Sequence, residues 1–399
     1  MKIYYDWASR TWFSSTSCTL GRDPHPLSTI GPKAEQNLIS FSLSMQNDNA
    51  GPVIGILTGK GKDQSIAGNG PLFKALQKNI LQQNGVSFVF TAEDLEENSV
   101  NGYIYFPQLD KWIEARCPLP HLVYNRVPFR KIEKTEAFHK ASRFFKEHNI
   151  PFFNPGFLDK FEVFQLFKDH PPLQEYIPET ILVSGPKELK NFIRKYNNIY
   201  LKPANGSKGK GIYHLSQLGN GMRLNGLHDS FSYTDYKNFW NQWGILLTNK
   251  PYMAQKAISP ARKEGKRFDF RILAHFSEGN YSVTGIGIRQ SKEQDITTHI
   301  PNGGVMIPYE SVRTQEHDEF IHSAVVEAGK LLEKTKGFYG EYSIDAGLTD
   351  QGTYVIYEIN SKPMSFDEVW IEEKRIEELT RLFFSLAGFW HINKNSRTP

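Results

Sequence analysis

Apolar and polar positions divide the chain into a first part in which strands alternate with helices and a later part dominated by strands. Runs typical of buried strands lie at 52–57 and 86–90, and a helical pattern with proline at its start lies between them at 71–83. Strands separated by helices predict a parallel sheet, so residues 51–155 are predicted to form a small open α/β domain. Further runs are expected to extend that sheet: 103–106 and 121–124.

A period of two residues dominates the later part of the chain. The runs Phe268–Phe276 and Tyr281–Gln290 predict long strands, and a 3.6-residue period over His317–Lys334 predicts an amphipathic helix. The stretch Gly219–Trp243 is a polar insertion rich in Asn, Ser and Tyr. Residues 1–50 contain only short β-like pieces and are predicted to be a β-rich extension. The pattern as a whole predicts a fold with α/β and α+β parts.

The stretch Gly340–Pro363 predicts a β-hairpin with its turn around Asp350. Because side chains alternate between faces along a strand, an acidic set is expected on one face. That face is predicted to carry Glu341, Ser343 and Asp345 from the first strand, and Tyr354, Ile356, Glu358 and Asn360 from the second. Two carboxylates and an amide oxygen in one cluster suit Mg²⁺, which prefers oxygen ligands. The alternative is an edge hairpin whose polar face is solvated.

A glycine-rich run between Ile199 and Leu215 is the second candidate site. Its glycines let backbone N–H groups approach phosphate oxygens, and Lys202 precedes them on a strand. A strand-like pattern follows the glycines, whereas Rossmann and Walker loops open a helix, so the run predicts a hairpin flap over a nucleotide. A Gly/Lys hairpin without a ligand is the alternative. The run Gly59-Lys60-Gly61 lacks the P-loop spacing and is predicted to be a surface loop.

Composition narrows the class of protein. The chain has 399 residues, of which 39% are hydrophobic and 23% charged, as expected for a globular protein of two or three domains. Its net charge is +4 and basic residues are mixed with acidic ones, which argues against a nucleic-acid-binding protein. Two cysteines, no apolar run of about 20 residues and no signal-peptide pattern predict a cytoplasmic protein without a membrane span.

Taken together, these pieces resemble the ATP-grasp enzymes in their order along the chain. The pieces are Asp159-Lys160, Lys202-Pro203 with the glycine run, Gln255-Lys256-Ala257-Ile258, Asp269-Phe270-Arg271, Arg289, Asn302-Gly303-Gly304, Asp345 and Glu358-Ile359-Asn360-Ser361-Lys362-Pro363. Three further motifs resemble the YheC/YheD family, described as endospore-coat-associated ATP-grasp proteins. They are Tyr124-Asn125-Arg126-Val127, Asn154-Pro155 and Phe268-Asp269-Phe270-Arg271.

The resemblance implies an ATP-grasp fold: after the extension 1–50 come a small α/β domain at 51–155, a lid at 156–254 and a C-terminal subdomain at 255–399. It also implies residue roles. Nucleotide-binding residues would be Lys160, Lys202, Gly206, Ser207, Lys208, Gly209, Gly211, Gln255, Lys256, Ala257 and Ile258. Metal ligands would be Asp345, Glu358 and Asn360, and the catalytic residues facing the transferred phosphate and the acceptor would be Arg271 and Arg289.

The chemistry implied is a carboxylate–amine ligation through an acyl phosphate, with ATP, two Mg²⁺ ions (or Mn²⁺), and release of ADP and phosphate. The implied partners are a carboxylate and an amine, as small molecules or peptides, together with spore-coat proteins, and the implied location is the spore coat or forespore. The chain departs from related ligases at His299, Asn302 and Met364, which concern the acceptor side. Two alternatives remain open: a coat protein that binds ATP without turnover, and an ATP-grasp phosphotransferase.

Overall fold

A computed structural model of the chain describes residues 1–29, 38–62, 65–204, 211–291 and 304–389. Three larger sheets follow one another along the chain, preceded by two three-stranded sheets near the N-terminus. Six short strands build those two sheets: β1 Lys2–Asp6, β2 Thr11–Ser14, β3 Thr19–Leu20, β4 Leu38–Ser42, β5 Ser44–Gln46 and β6 Asn49–Gly51. Their apolar side chains, including Ile3 and Phe41, pack into the same core as the first larger sheet.

The first larger sheet has the order β11-β10-β9-β7-β12-β13, with β8 paired to β7. Its elements are β7 Val53–Lys60, β8 Ile66–Ala67, α1 Gly70–Gln82, β9 Val86–Thr91, β10 Ser99–Phe106, β11 Lys111–Pro118, β12 Leu122–Asn125, α2 Glu136–Glu147 and β13 Phe152–Phe153. Strands β9, β7, β12 and β13 are parallel, as predicted. The prediction for 103–106 was wrong in direction: β10 is antiparallel to β9, because only residues 92–98 connect them and a crossover between parallel strands needs about a dozen or more. A hairpin of β10 with β11, which was not predicted, follows.

The second larger sheet is antiparallel between all neighbours and has the order β14-β19-β15-β16-β17-β18. Two helices connect it to the first sheet, and two belong to it. The elements are α3 Lys160–Lys168, α4 Pro171–Gln174, β14 Thr180–Leu182, α5 Pro186–Tyr196, β15 Asn198–Pro203, β16 Tyr213–Leu218, β17 Gly221–Asn225, β18 Ser230–Tyr233, α6 Tyr236–Asn249 and β19 Tyr252–Lys256. The polar insertion thus contains two strands and the start of α6, whose buried face includes Phe239 and Trp243.

The third larger sheet has the order β23-β22-β21-β24-β25, with β20 paired to β21. Its elements are β20 Arg262–Lys263, β21 Lys266–Ser277, β22 Asn280–Gln290, β23 Val305–Ile307, α7 Gln315–Lys336, β24 Glu341–Leu348, β25 Tyr354–Asn360 and α8 Val369–Leu386. Short 3-10 turns lie at Ala92–Asp94, Ile132–Lys134 and Tyr309–Ser311. One face of the sheet packs on α7 in an apolar core, which leaves the other face available for polar side chains.

Helix α8 packs against the first sheet as well as the third. Its residues Leu379, Phe383 and Phe384 share one apolar core with Leu76 and Ile80 of α1. On its other side, α8 lies against β21 and β22 through Ile371. Burial of several large apolar side chains, each contributing about 1.5–3 kcal/mol, therefore ties the first and third sheets together.

Candidate functional site

The β24–β25 hairpin carries the acidic cluster, but a bulge changes which residues share its face. Opposite Asp345 lies Glu358, whereas Ala346 lies opposite Ile356, so Tyr357 is an extra residue in the second strand. Ile356 is fully buried in the α7-facing core together with Ile359. The prediction that Tyr354 and Ile356 share the acidic face was therefore wrong. The extra residue shifts the alternation by one, because a bulge sets two residues against one.

Asp345, Glu358 and Asn360 lie close together on the polar face of the hairpin. The Asn360 Nδ2 donates a hydrogen bond to the Asp345 Oδ2 at 3.3 Å. Burial raises the pKa of Asp345 to about 6, the Arg271 charge opposes this shift, and the Glu358 charge adds to it. A divalent cation would remove the repulsion between the two carboxylates, so this oxygen-donor set fits Mg²⁺. The described residues contain no group of three or more His, Cys, Asp or Glu suited to a metal, so phosphate or water oxygens would complete the shell.

Lys160 is positioned beside this cluster by the start of α3. Asp159 caps that helix by accepting hydrogen bonds from the backbone N–H groups of Phe161 and Glu162. The Lys160 Nζ then lies 3.0 Å from the Glu358 Oε2, although the two residues are 198 positions apart. The lysine side chain is only 13% exposed. A phosphate that reaches this pair would meet one cation and the candidate metal ligands beside it.

Lys202 extends from β15 of the second sheet towards the same region. Its Nζ donates to the Gln255 Oε1 at 2.6 Å, and the Gln255 Nε2 donates to the Thr180 Oγ1 at 3.1 Å, which orients the amide. Burial lowers the pKa of Lys202 to about 8, the positive charge of Lys160 adds to this shift, and Glu358 opposes it. An anion would stabilise the charged form of Lys202 against this shift, which makes the lysine a suitable phosphate ligand.

The segment predicted to contact adenine consists of the last two residues of β19 and the two residues that follow this strand. Gln255 is buried, whereas the Lys256 side chain is exposed and its ammonium lies 5.5 Å from the Tyr196 ring centroid. The backbone N–H of Lys256 donates to the Glu179 carbonyl, and that of Ala257 donates to the Asn198 carbonyl. Ala257 and Ile258 are both partly exposed, which leaves them accessible to a planar ligand.

The polar face of the third sheet carries a second ion pair, between Arg267 and Asp269. Neither residue was predicted to have a role in the site. Arg267 binds Asp269 with 2.9 Å between its Nη2 and the Asp269 Oδ2, and both side chains are almost buried. The Arg267 guanidinium lies 5.6 Å from the centroid of Tyr357, the bulge residue. Its charge also contributes to the lowered pKa of Lys202. The alternation in Arg267-Phe268-Asp269-Phe270-Arg271 was the available signal, because it places three charged residues on one face.

Arg271 and Arg289 lie on neighbouring strands of that face but in different surroundings. Arg271 is opposite Asp345, and its Nη2 donates to the Met364 carbonyl at 3.1 Å. Among the described residues its Nε has no hydrogen-bond partner. Arg289 is bound by both carboxylate oxygens of Glu368, at 2.5 and 3.1 Å, and by Asp367 at 3.2 Å. These acidic partners lie 78 and 79 residues away in the sequence, so no local pattern indicates them.

Several predicted residues lie outside the described residues: Gly206, Ser207, Lys208, Gly209, His299, Asn302 and Gly303. Gly211 is described and has a φ of +75°, a conformation that favours glycine. A Cβ at this position would lie 2.9 Å from the Tyr252 hydroxyl and 3.1 Å from Pro203. The end of the glycine run is therefore packed closely against the strand that carries Lys202.

Comparison with solved structures defines the class of protein: the fold is the ATP-grasp fold. D-alanyl-alanine synthetase A from Vibrio cholerae O1 biovar eltor str. N16961 matches with a TM-score of 0.52 and 12% identity, over 85% of this chain and 99% of that one. The family follows from the sequence. A model of the YheC/D-like ATP-grasp family matches residues 149–388, and the chain belongs to this family.

Two curated relatives come from Bacillus subtilis (strain 168). The endospore coat-associated protein YheD is 29% identical over 336 residues, which is 78% of this chain and 73% of YheD. The endospore coat-associated protein YheC is 24% identical over 296 residues, which is 70% of this chain and 81% of YheC. None of the helices in the described part of the chain is long and apolar enough to cross a membrane.

Proposed function

We propose that the protein is an ATP- and Mg²⁺-dependent carboxylate–amine ligase. One observation carries the proposal: Lys160 from α3 lies 3.0 Å from Glu358 on the acidic hairpin, with Asp345 opposite Glu358 in register. Two parts of the chain nearly 200 residues apart thus bring a lysine ammonium beside the carboxylates that we propose as metal ligands. This is the arrangement that a metal–polyphosphate requires, because its ligands must have both signs of charge.

In the proposed reaction the γ-phosphoryl group of ATP moves to the substrate carboxylate. The amine then displaces phosphate from the acyl phosphate, so the products are the amide, ADP and phosphate. Lys160 and Lys202 would bind the phosphates, and the segment from Gln255 to Ile258 would hold adenine. Asp345, Glu358 and Asn360 would hold two Mg²⁺ ions, or Mn²⁺ in their place. The bound metal would neutralise the charge of the phosphates.

The proposal for the acceptor side of the site depends on Arg271. Its side chain lies on the same face as Asp345, and its guanidinium stacks over the Phe366 ring at 4.6 Å. Its Nε is buried and, within the described part of the chain, lacks an acceptor, which a carboxylate or phosphoryl oxygen could supply. We propose a carboxylate and an amine as substrates, either small molecules or peptides. The names of the relatives support a role in the endospore coat. Coat proteins as partners and a cytoplasmic location are further parts of the proposal.

A second candidate is a coat-associated protein that binds ATP without turnover. One observation favours it: the charge of Arg289 is already neutralised by Glu368 and Asp367. An arginine bound on both sides by carboxylates is a weaker ligand for an acyl phosphate, because it would first have to leave them. In this candidate the metal and nucleotide sites keep the roles proposed above.

The test measures products from the purified protein with ATP, Mg²⁺ and a panel of amino acids and short peptides. Release of ADP and phosphate that depends on both a carboxylate and an amine is the expected result. Asp345→Asn should abolish it, whereas Asp350→Asn, the same change at the exposed hairpin tip, should not. AMP and pyrophosphate as products would overturn the acyl-phosphate route, and nucleotide binding without turnover across the panel would favour the second candidate.

A further inference from the structure

The segment directly after β25, residues 361–363, is bound by the first sheet. The Lys362 Nζ donates to the Asn125 Oδ1 at 2.9 Å, to the Val127 carbonyl at 3.2 Å and to the Glu133 Oε1 at 2.5 Å. The Lys362 side chain is only 4% exposed. Lys362 lies two residues beyond the metal candidate Asn360, and its buried ammonium has three acceptors, one from the last residue of β12 and two from the connection that follows that strand.

The same Glu133 carboxylate also binds the segment that leads to Lys160. Its Oε2 accepts a hydrogen bond from the backbone N–H of Phe157 at 2.8 Å. The next residue, Leu158, donates its N–H to the Ser361 Oγ at 3.3 Å. The Phe157 ring centroid lies 4.5 Å from the Lys362 ammonium. One carboxylate therefore joins the chain just before Lys160 to the chain just after Asn360.

These contacts set the distance between the two halves of the nucleotide site. Lys160 and Glu358 lie 3.0 Å apart. Lys160 follows Phe157, whose N–H binds Glu133, by three residues, and Glu358 precedes Lys362 by four. Both segments are attached to the first sheet, so neither can shift without breaking hydrogen bonds of the pair. Groups that orient metal ligands from outside typically change metal affinity 10- to 100-fold when they are removed.

We propose that Glu133 and Lys362 are positioning residues for the metal–nucleotide site. They act through Lys160 and Asn360 and do not bind the nucleotide themselves. This inference rests on the proposed function. A purely stabilising role explains the pair less well, because burying an ion pair costs desolvation that apolar residues of the same size would avoid.

The experiment uses the full chain and the double variant Glu133→Gln/Lys362→Met, which leaves no unpaired buried charge at this position. Binding of a non-hydrolysable ATP analogue is measured by calorimetry as a function of Mg²⁺ concentration. The Mg²⁺ midpoint is expected to rise about tenfold or more. Binding of the analogue without Mg²⁺ should change much less. Lys60→Met is the matched control, because Lys60 forms a partly buried ion pair with Asp94 away from the hairpin, and its midpoint should stay at the wild-type value.

Circular dichroism and thermal melting decide which variants are folded. If the double variant does not fold, Glu133→Asp gives the answer, since it keeps the charge beside Lys362 and shortens the side chain by one methylene, so the carboxylate can no longer reach both Lys362 and the Phe157 N–H. A wild-type Mg²⁺ midpoint in a folded variant would overturn the positioning roles and leave the proposed function intact. Absence of Mg²⁺-dependent nucleotide binding in the wild-type protein would overturn the proposed function, and the positioning roles with it.

Discussion

Single residues of the candidate site are shifted towards their neutral forms. Burial raises the pKa of Asp345 to about 6 and lowers that of Lys202 to about 8. Both shifts have the same main cause, because removal from water penalises a charge of either sign. A cation beside Asp345 and an anion beside Lys202 would stabilise the charged form of both side chains at once. A magnesium–polyphosphate complex supplies that pair of charges.

The first prediction concerns Glu358, which contacts Lys160 and faces Asp345. Glu358→Gln should lower Mg²⁺-dependent ATP affinity at least about tenfold, because a neutral amide is a much weaker metal ligand than a carboxylate. Melting without nucleotide should change by only a few degrees, since the lost pair with Lys160 is offset by lost repulsion with Asp345. Calorimetric titration with and without Mg²⁺ checks this, and an unchanged Mg²⁺ dependence would exclude Glu358 as a ligand.

The second prediction concerns acid stability through His121. The backbone N–H of Val53 donates to the His121 Nδ1 at 2.9 Å, and burial, with a contribution from Arg22, lowers the pKa of His121 to about 3. The unfolded chain takes up this proton below about pH 6.5, whereas the folded protein does not. The stability contribution of His121 is therefore complete above pH 6.5 and falls as the pH drops towards 3.

Denaturant unfolding at pH 7 and pH 5 measures this effect. The wild-type protein should lose about 2 kcal/mol more stability between these pH values than His121→Asn, in which an amide oxygen can still accept the hydrogen bond from Val53. Equal losses in the two proteins would show that His121 does not govern acid stability.

At the scale of elements, the bulge in β25 decides which residues reach the site. The sequence predicted the hairpin, its turn and its acidic residues, because these depend on local alternation and turn chemistry. It did not predict Tyr357 as an extra residue, because a bulge depends on pairing with β24 and has no local signal. Hairpin β10–β11 and helix α6 were not predicted either. Exposed polar residues alternate with their apolar residues, so the apolar pattern that indicates packing on neighbouring elements is weak.

The third prediction tests the packing at the end of the glycine run. Gly211 and Gly265 both have positive φ values, +75° and +76°. A Cβ on Gly211 would meet Tyr252 and Pro203, whereas one on Gly265 would meet nothing within 4 Å. Gly211→Ala should therefore lower the free energy of unfolding by about 1–2 kcal/mol more than Gly265→Ala. Equal losses in chemical denaturation would mean that strain alone governs both positions.

The fourth prediction separates two roles for Arg289. If it serves the acceptor, Arg289→Met should lower turnover while ATP affinity stays near the wild-type value. If it only forms the ion pair with Glu368, then Arg289→Met and Glu368→Gln should lower the melting temperature by similar amounts and leave turnover unchanged. Steady-state kinetics and melting curves of the two variants, compared side by side, distinguish the roles.

At the scale of the whole molecule, a buried charge network joins the first and third sheets. Glu341 is fully buried at the start of β24 and binds Arg375 of α8 at 2.5 Å and Arg126 at 3.2 Å. The Tyr124 hydroxyl donates to the same carboxylate at 2.6 Å. Asn154 adds hydrogen bonds from its Nδ2 to the carbonyls of Glu341 and Ser361. Two motifs that carried the family resemblance, around Tyr124 and Asn154, thus contribute to the contact between sheets.

The fifth prediction concerns this network. Arg126→Met leaves a buried carboxylate short of one partner and should lower the free energy of unfolding by about 3–5 kcal/mol. Arg381→Met is the control, because Arg381 pairs with Glu378 at the surface and should cost at most about 1 kcal/mol. Both should be measured by denaturant unfolding. A loss in Arg126→Met no larger than in the control would mean that the network contributes little to stability.

Residue types and their order along the chain were enough to predict the ATP-grasp fold, but not how its parts touch. Lys160, Lys202 and the hairpin residues carry the family pattern locally and could be found from it. The acidic partners of Arg289 and the pair Glu133–Lys362 could not, because each joins segments 78 to 229 residues apart. Such contacts follow from the packing of the sheets, which a single sequence does not reveal.

Helix α8 has a consequence for how the protein is made. It completes the apolar core around α1, yet it follows α1 by almost 300 residues. While a ribosome synthesises the intervening chain, the surface around Leu76 and Ile80 has no cover from Leu379 and Phe383. A nascent chain in this state exposes a binding surface for chaperones, and folding of the first sheet can finish only after α8 has left the exit tunnel.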